Sequence, residues 1–203
     1  MKTGGTIFNI AQKDGNWAVV WNRDREKFTS FEQFTDDGKA LTAVNDSGRE
    51  ISCAILSADA TLGITGGDDG VARIWNLQTK DRIGGDWPVS THKLVDLAVT
   101  TDNKMLITID SRGDVKVADI AKRAAGETTH AVKGTVAGLV ASPTNDKFAT
   151  LAVEGDVKAW SLTGQELRTW KLNTSPATAV FTPDGKKLIV GNKDSSLFVL
   201  DLP

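Results

Sequence analysis

Apolar residues in this chain come in short alternating runs separated by polar turns, and four of the runs recur in register. VARIWNL (71–77), DVKVADI (114–120), DVKAWSL (156–162) and SLFVLDL (196–202) each follow a turn built from Gly, Asp or Ser. Trp75, Ala118, Trp160 and Leu200 hold matching places, spaced by 43, 42 and 40 residues. Upstream, a Ser or Thr that opens a tight turn repeats the same intervals at Ser57, Thr100, Ser142 and Thr182. Two landmarks keeping the same three spacings define a repeat of about 42 residues, the blade period of several propellers. Within a unit, LVDLAV (94–99) or ATAVF (177–181) enters the turn, and NKMLITI (103–109) or KKLIVG (186–191) leaves it. The run named first comes third, and a weaker one such as ELRTWKL (166–172) comes fourth. Four short strands with turn residues between them make one antiparallel blade. Asp69-Gly70 and Asp184-Gly185 supply the positive backbone dihedrals that tight turns demand. No long segment places apolar residues at i, i+3, i+4 and i+7, so the expected fold is all-β.

With the repeat in hand, ITGGDDGVARIWNL (64–77) and TPDGKKLIVGNKDSSLFVLDL (182–202) resemble strands of a WD40-repeat blade. The resemblance covers residues 51–203 and is poor over 1–50. It implies a WD40-like β-propeller of about five four-stranded antiparallel blades, the whole of 1–203 being one propeller domain or a segment of one. Regular units are expected at about 51–93, 94–135, 136–176 and 177–203, after an irregular unit over 1–50. In that family a strand Ser or Thr, a turn Asp, a Trp and a loop His form a hydrogen-bonded tetrad. By position the resemblance carries Thr65, Asp69 and Trp75 into that tetrad, with His92 near the fourth place. Elsewhere the pattern departs: the turn Asp becomes Arg112, then Glu154, then returns as Asp194, and the Trp becomes Ala118 and Leu200. No unit contains a literal Trp-Asp pair.

The first fifty residues break the period. TIFNIAQ (6–12), the turn Asp14-Gly15 and NWAVVWN (16–22) suggest a further unit, but Trp21 then precedes Trp75 by 54 residues. FTDDGKALTAVND (34–46) mimics FTPDGKKLIVGNK (181–193), yet its turn precedes that at Ser57 by only 22 residues. Two traces fit. In one, 6–22 supply the middle strands of a first blade and 28–50 add an extra hairpin. In the other, 6–12 form the outer strand of the final blade, covering an edge that would otherwise invite pairing with other chains, and 16–50 form a divergent first blade.

Composition narrows function by exclusion. In 203 residues, hydrophobic side chains make up 40% and charged ones 25%, which is globular usage. The 24 basic and 26 acidic side chains leave a net charge of −2, without the basic stripe that nucleic acid needs. Arg73, Lys116, Lys158 and Lys186 fall one per unit and are expected on solvent faces. No apolar run before Asp14 has signal-peptide length, and none approaches the 18 residues of a membrane span. The expected location is therefore cytoplasmic, or extracytoplasmic within a longer chain, with no nucleic-acid or membrane partner. Cys53 is the single cysteine, so it has no partner for a disulfide and reads as a small buried hydrophobe. No cofactor and no metal are expected.

Several short motifs have ordinary readings. Arg112-Gly113-Asp114 spells an integrin-binding tripeptide but falls in a hairpin turn that the next unit repeats as Glu154-Gly155-Asp156. Asn45-Asp46-Ser47 and Asn173-Thr174-Ser175 match glycosylation acceptors, and neither follows a secretion signal. Gly66 to Gly70 is glycine-rich but lacks the Lys-Ser/Thr and the helix of a phosphate loop. Trp21, Trp75 and Trp160 sit at blade-packing positions, whereas Trp87 and Trp170 fall on weaker outer strands. The acids Asp59, Asp102 and Asp184 belong to turns, and nothing marks the convergent pair a glycosidase needs. The reading is a non-catalytic scaffold for a protein or peptide, not an enzyme. Its family resemblance puts the rim at Lys93, Val95, Thr135, Ala137, Ser175 and Ala177, around the start of each unit's first strand. The alternative is a propeller-fold enzyme or sensor acting on a sugar or metabolite, which two facing acids in a deep channel would favour.

Overall fold

A computed structural model describes residues 5–13, 16–23, 28–47 and 50–202, with side chains omitted at some strand positions within the first fifty. Each polar turn reverses the chain into an antiparallel neighbour, and the described residues are all-β, without a helix. Five small sheets of propeller-blade type result, distributed over two compact units, 1–94 and 95–203.

In the first unit, sheet one holds β1 (Gly5–Lys13), β2 (Asn16–Arg23), β3 (Phe28–Thr35) and β4 (Ala40–Ser47). Sheet two holds β5 (Ile51–Leu56), β6 (Leu62–Gly67), β7 (Val71–Asn76) and the short β8 (Trp87–Pro88). In the second unit, sheet three holds β9 (Leu94–Val99), β10 (Met105–Asp110), β11 (Asp114–Asp119) and β12 (Ala124–His130). Sheet four holds β13 (Val136–Ala141), β14 (Lys147–Ala152), β15 (Asp156–Ser161) and β16 (Glu166–Lys171). Sheet five holds three strands, β17 (Pro176–Phe181), β18 (Lys187–Asn192) and β19 (Leu197–Asp201).

The turn chemistry is local and repeated. Ser57, Thr100 and Thr182 each donate a hydroxyl hydrogen bond to the Asp two residues on, at 2.6, 2.7 and 2.6 Å. That carboxylate in turn accepts the N–H of Thr61, Lys104 or Lys186 and pins the start of the next strand. Thr35 and Asp37 build the same device between β3 and β4. This explains why 34–46 mimics 181–193 in sequence while occupying a different place in its sheet.

Both readings of the first fifty residues are corrected. Strand β1 pairs with β2, matching Ile10 to Val19, and sheet five remains three-stranded. Residues 28–47 are not an extra hairpin either, because β3 and β4 complete sheet one beside β2. Trp21 lies on the second strand, one strand away from the place Trp75 holds in sheet two. The turn at Asp14-Gly15 lies outside the described residues. Strands of eight or nine residues, against five or six in most strands elsewhere, account for the broken period.

Packing within each unit follows one rule. Alternation gives every strand two faces, and one face of a sheet covers the opposite-type face of the next. Ala18, Val20, Phe31 and Val44 of sheet one pack on Ala54 and Leu56 of sheet two. Ala98, Ile107, Ile109 and Val115 of sheet three pack on Leu139, Phe148 and Trp160 of sheet four. Ala149, Leu151 and Val157 on the other face of sheet four pack on Phe181, Leu188, Val190 and Leu200 of sheet five. First strands lie side by side, β1 with β5 and β13 with β17, so they form the inner edge of each stack.

Candidate functional site

The openings of the inner strands are built by the turns beside them. In sheet four the turn between β14 and β15 reaches the opening of β13, where Val153 donates its N–H to the Thr135 carbonyl at 2.9 Å. The Thr135 N–H donates to the Glu154 carboxylate at 3.0 Å, and this bond first of all holds that carboxyl below its ordinary pKa. In sheet five the N–H of Lys193 donates to the Ser175 carbonyl at 2.9 Å. In the first unit Lys93 pairs with Asp68 of the β6–β7 turn at 2.9 Å. Lys93, Thr135 and Ala177 are exposed, while Val95, Ala137 and Ser175 are half-buried. Lys93 belongs to the first unit and the other five residues to the second. Sequence reasoning did not assign Asp68 or Lys193 to these openings, and it read Glu154 only as a residue of the turn.

In the tetrad expected in sheet two, the Trp75 end is not joined. Asp69 gives one carboxylate oxygen to the Val71 N–H and the other to Arg73 at 2.8 Å. His92 Nδ1 lies 3.1 Å from the Thr91 hydroxyl. The Trp75 indole N–H is buried without a hydrogen-bond partner. The corresponding tryptophan-to-threonine bond is made in sheet four, where Trp160 Nε1 donates to Thr150 Oγ1 at 3.0 Å in a buried contact. Strand register makes these positions equivalent: Thr65 opposes Arg73 with Trp75 two residues on, and Thr150 opposes Lys158 with Trp160 two residues on. The difference lies in the residue between. Lys158 extends over the Trp160 ring to Glu166, whereas the Arg73 side chain is only 3% exposed and draws Asp69 and Asp86 to itself. The expectation that Arg73 lies on a solvent face is therefore corrected; Lys158 is half-buried and Lys186 is exposed.

Other singled-out residues have structural partners. Asp114 of the Arg-Gly-Asp turn lies 2.7 Å from His130 Nδ1. In that turn Asp110, itself buried, accepts the N–H groups of Arg112 and Asp114, which is how the turn closes with Arg112 at the usual Asp position. Cys53 and Trp87 are buried, and Trp170 is half-buried under Arg168. The side chains of Asn45 and Ser47 lie outside the described residues.

Asp96 on β9 is set apart from the turn acids. Burial raises its pKa, although its two oxygens accept the N–H groups of Leu97 and, across to β13, Leu139. Its carboxylate clamps sheet three to sheet four. Among the described residues, no group of three or more His, Cys, Asp or Glu is placed to hold a metal ion.

The model of the WD domain, G-beta repeat family matches residues 38–76. Those residues contain β4, the outer strand of sheet one, followed by β5, β6 and β7 of sheet two. The chain carries a WD40 repeat. The WD40 repeat thus spans two sheets, lending the outer strand of one blade and the first three strands of the next. The WD40 match ends at Asn76, just after Trp75. None of the curated proteins matches the chain. WD40 propellers in general serve as platforms for protein partners. Among the described residues, no helix is long and apolar enough to cross a membrane.

Proposed function

We propose that this chain is a non-catalytic protein-interaction platform that binds a protein or peptide through the openings of its inner strands. Val95, Thr135, Ala137, Ser175 and Ala177 in the second unit, and Lys93 in the first, are its contact residues. The observation that carries the reading is the repeated construction of these openings. Each is braced by a turn of its own sheet or a neighbouring one, and each leaves at least one exposed or half-exposed side chain. Rigid strands that present variable loops are a common basis for recognition. The charges there are mixed, with Lys93, Glu154 and Lys193 beside small side chains, which suits a polypeptide better than a phosphate backbone.

The test is affinity capture with the full chain, identification of the captured protein, and titration of that protein against variants. Lys93→Glu and Ala177→Arg should each weaken binding at least tenfold while shifting stability by no more than about 0.5 kcal/mol, as surface changes usually do. Unchanged affinity in both variants would remove the strand openings as the contact surface.

A further inference from the structure

Asp96 carries a charge that its structural work does not require. It lies on β9, four residues before the turn-opening Thr100. The residues at the same distance before Ser57, Ser142 and Thr182 are Cys53, Gly138 and Thr178, so the repeat itself calls for no acid there. One oxygen of Asp96 accepts the Leu97 N–H and the other the Leu139 N–H of β13, both at 2.8 Å. An ionised carboxylate offers about four acceptor positions, so about two stay unused. A neutral acceptor such as an asparagine carbonyl would hold the Leu139 N–H without bringing a charge into this half-buried place. Among the described residues, no Lys, Arg or His forms an ion pair with Asp96. Strand β9 has no other titratable side chain, and β13 has none.

The carboxylate sits among residues of the proposed contact surface. Val95 precedes Asp96, and Ala137 lies two residues before Leu139, so two of those contact residues flank it. At Gly138, between Ala137 and Leu139, a Cβ would lie 3.6 Å from Asp96 Oδ2, and glycine puts no side chain there. Val95, Asp96, Ala137, Gly138 and Leu139 all belong to the second unit. We infer that Asp96 anchors the bound polypeptide, its unused acceptor positions taking the ammonium or guanidinium group of a Lys or Arg side chain. The inference rests on the platform reading and adds the chemistry of the partner. Val95 and Ala137 offer apolar surface to the aliphatic stem of such a side chain. A half-buried charge without a counter-charge is costly. An ion pair completed only on binding turns that cost into selectivity for basic side chains and against acidic ones.

The test is a nuclear magnetic resonance titration of the isotope-labelled full chain with three end-blocked amino acids. N-acetyl-arginine-N-methylamide and its lysine counterpart carry the cation, and the citrulline counterpart has nearly the shape of arginine without the charge. The two cationic probes should shift the amide signals of Leu97 and Leu139 saturably, and citrulline should leave them in place. Asp96→Asn keeps an acceptor for the Leu139 N–H and should weaken both cationic probes at least about tenfold, as loss of a charge-assisted bond does. A second measurement needs no variant: the Asp96 carboxyl, followed by its own carbon signal, should titrate at lower pH with the arginine probe than without it. Unmoved Leu97 and Leu139 signals, an equal response to citrulline, undiminished binding in Asp96→Asn, or a carboxyl titration indifferent to the probe overturns the anchor. Such a failure is separable from failure of the platform, which is read by whether Lys93→Glu and Ala177→Arg weaken the captured protein.

Discussion

The bond between Trp160 and Thr150 is the clearest single-residue determinant. The ring is 5% exposed, stacks on Phe148 with centroids 6.4 Å apart, and sits in the core between sheets three and four. Replacing Trp160 with Ala removes that packing and should cost about 3–5 kcal/mol. Thr150→Val keeps the shape but strands the indole N–H, for about 1–3 kcal/mol. Thr65→Val in sheet two should cost less through any tryptophan bond, because the Trp75 indole already lacks a partner. Likewise Trp75→Phe, which deletes that orphaned donor, should be close to neutral. Denaturant midpoints for the four variants measure the contrast, and equal losses at Trp75→Phe and Thr150→Val would show that Trp75 does have a partner. Both tryptophans are equivalent in the sequence. The buried guanidinium of Arg73 beside Trp75 helps tell them apart, and nothing in the run VARIWNL announces its burial.

At the scale of the element, the turns between second and third strands decide stability. Gly70, Gly113 and Gly155 hold left-handed φ of 73°, 83° and 93°. A Cβ at each would lie 2.2, 2.2 or 2.3 Å from the carbonyl oxygen of Ser90, Val132 or Leu172. Those carbonyls belong to the connection leading to the next sheet, whose N–H groups bond back to the glycine carbonyls. Gly113→Ala and Gly155→Ala should therefore each cost more than about 1 kcal/mol, for the backbone conformation alone. Sheet five has Ser195 at the equivalent position, with φ of 66°. Ser195→Gly should relieve strain and stabilise by up to about 1 kcal/mol. Thermal midpoints moving in the same direction for Gly155→Ala and Ser195→Gly would refute this account.

The Ser/Thr-x-Asp turns bring a pH dependence. Bonds from the Thr100 and Thr182 hydroxyls, foremost, hold the Asp102 and Asp184 carboxyls below their ordinary range. A lowered folded pKa contributes stability at pH above about 4, the unfolded carboxyl value, and that contribution is lost as pH falls through the folded value. Asp96 works in the opposite sense. Its raised pKa means that stability is withdrawn as pH climbs from about 4 through its folded value. Since several turn acids are lowered, the melting midpoint should fall below pH 4, and Asp102→Asn with Asp184→Asn should flatten that fall. An unchanged slope would show that the turns do not carry the acid sensitivity.

At the scale of the whole molecule, two compact units each stack small sheets face on face. Far-ultraviolet circular dichroism should show little helix, and a fifth or more would contradict the strand assignment, given that typical domains hold about a third. With a net charge of −2 and Arg73 neutralised in the core, binding to random-sequence DNA near physiological salt should be undetectable. Micromolar binding that weakens with salt would overturn the expectation of no nucleic-acid partner.

What the chain determined by itself was whatever depends on near neighbours. Alternation of apolar residues, Ser/Thr-x-Asp turns and Asp-Gly corners act within a few residues, so strands and the 43–42–40 spacing were readable from 51 onward. The first blade resisted, because its longer strands spoil the period and its turn motif joins a different pair of strands. Placement across the fold belonged to tertiary structure alone. Whether Arg73 meets water or Asp69, whether an indole finds a threonine, and which apolar face another sheet covers all depend on register and on partners far along the chain. Those long-range contacts decide burial, and burial decides which of several identical-looking side chains holds the structure together.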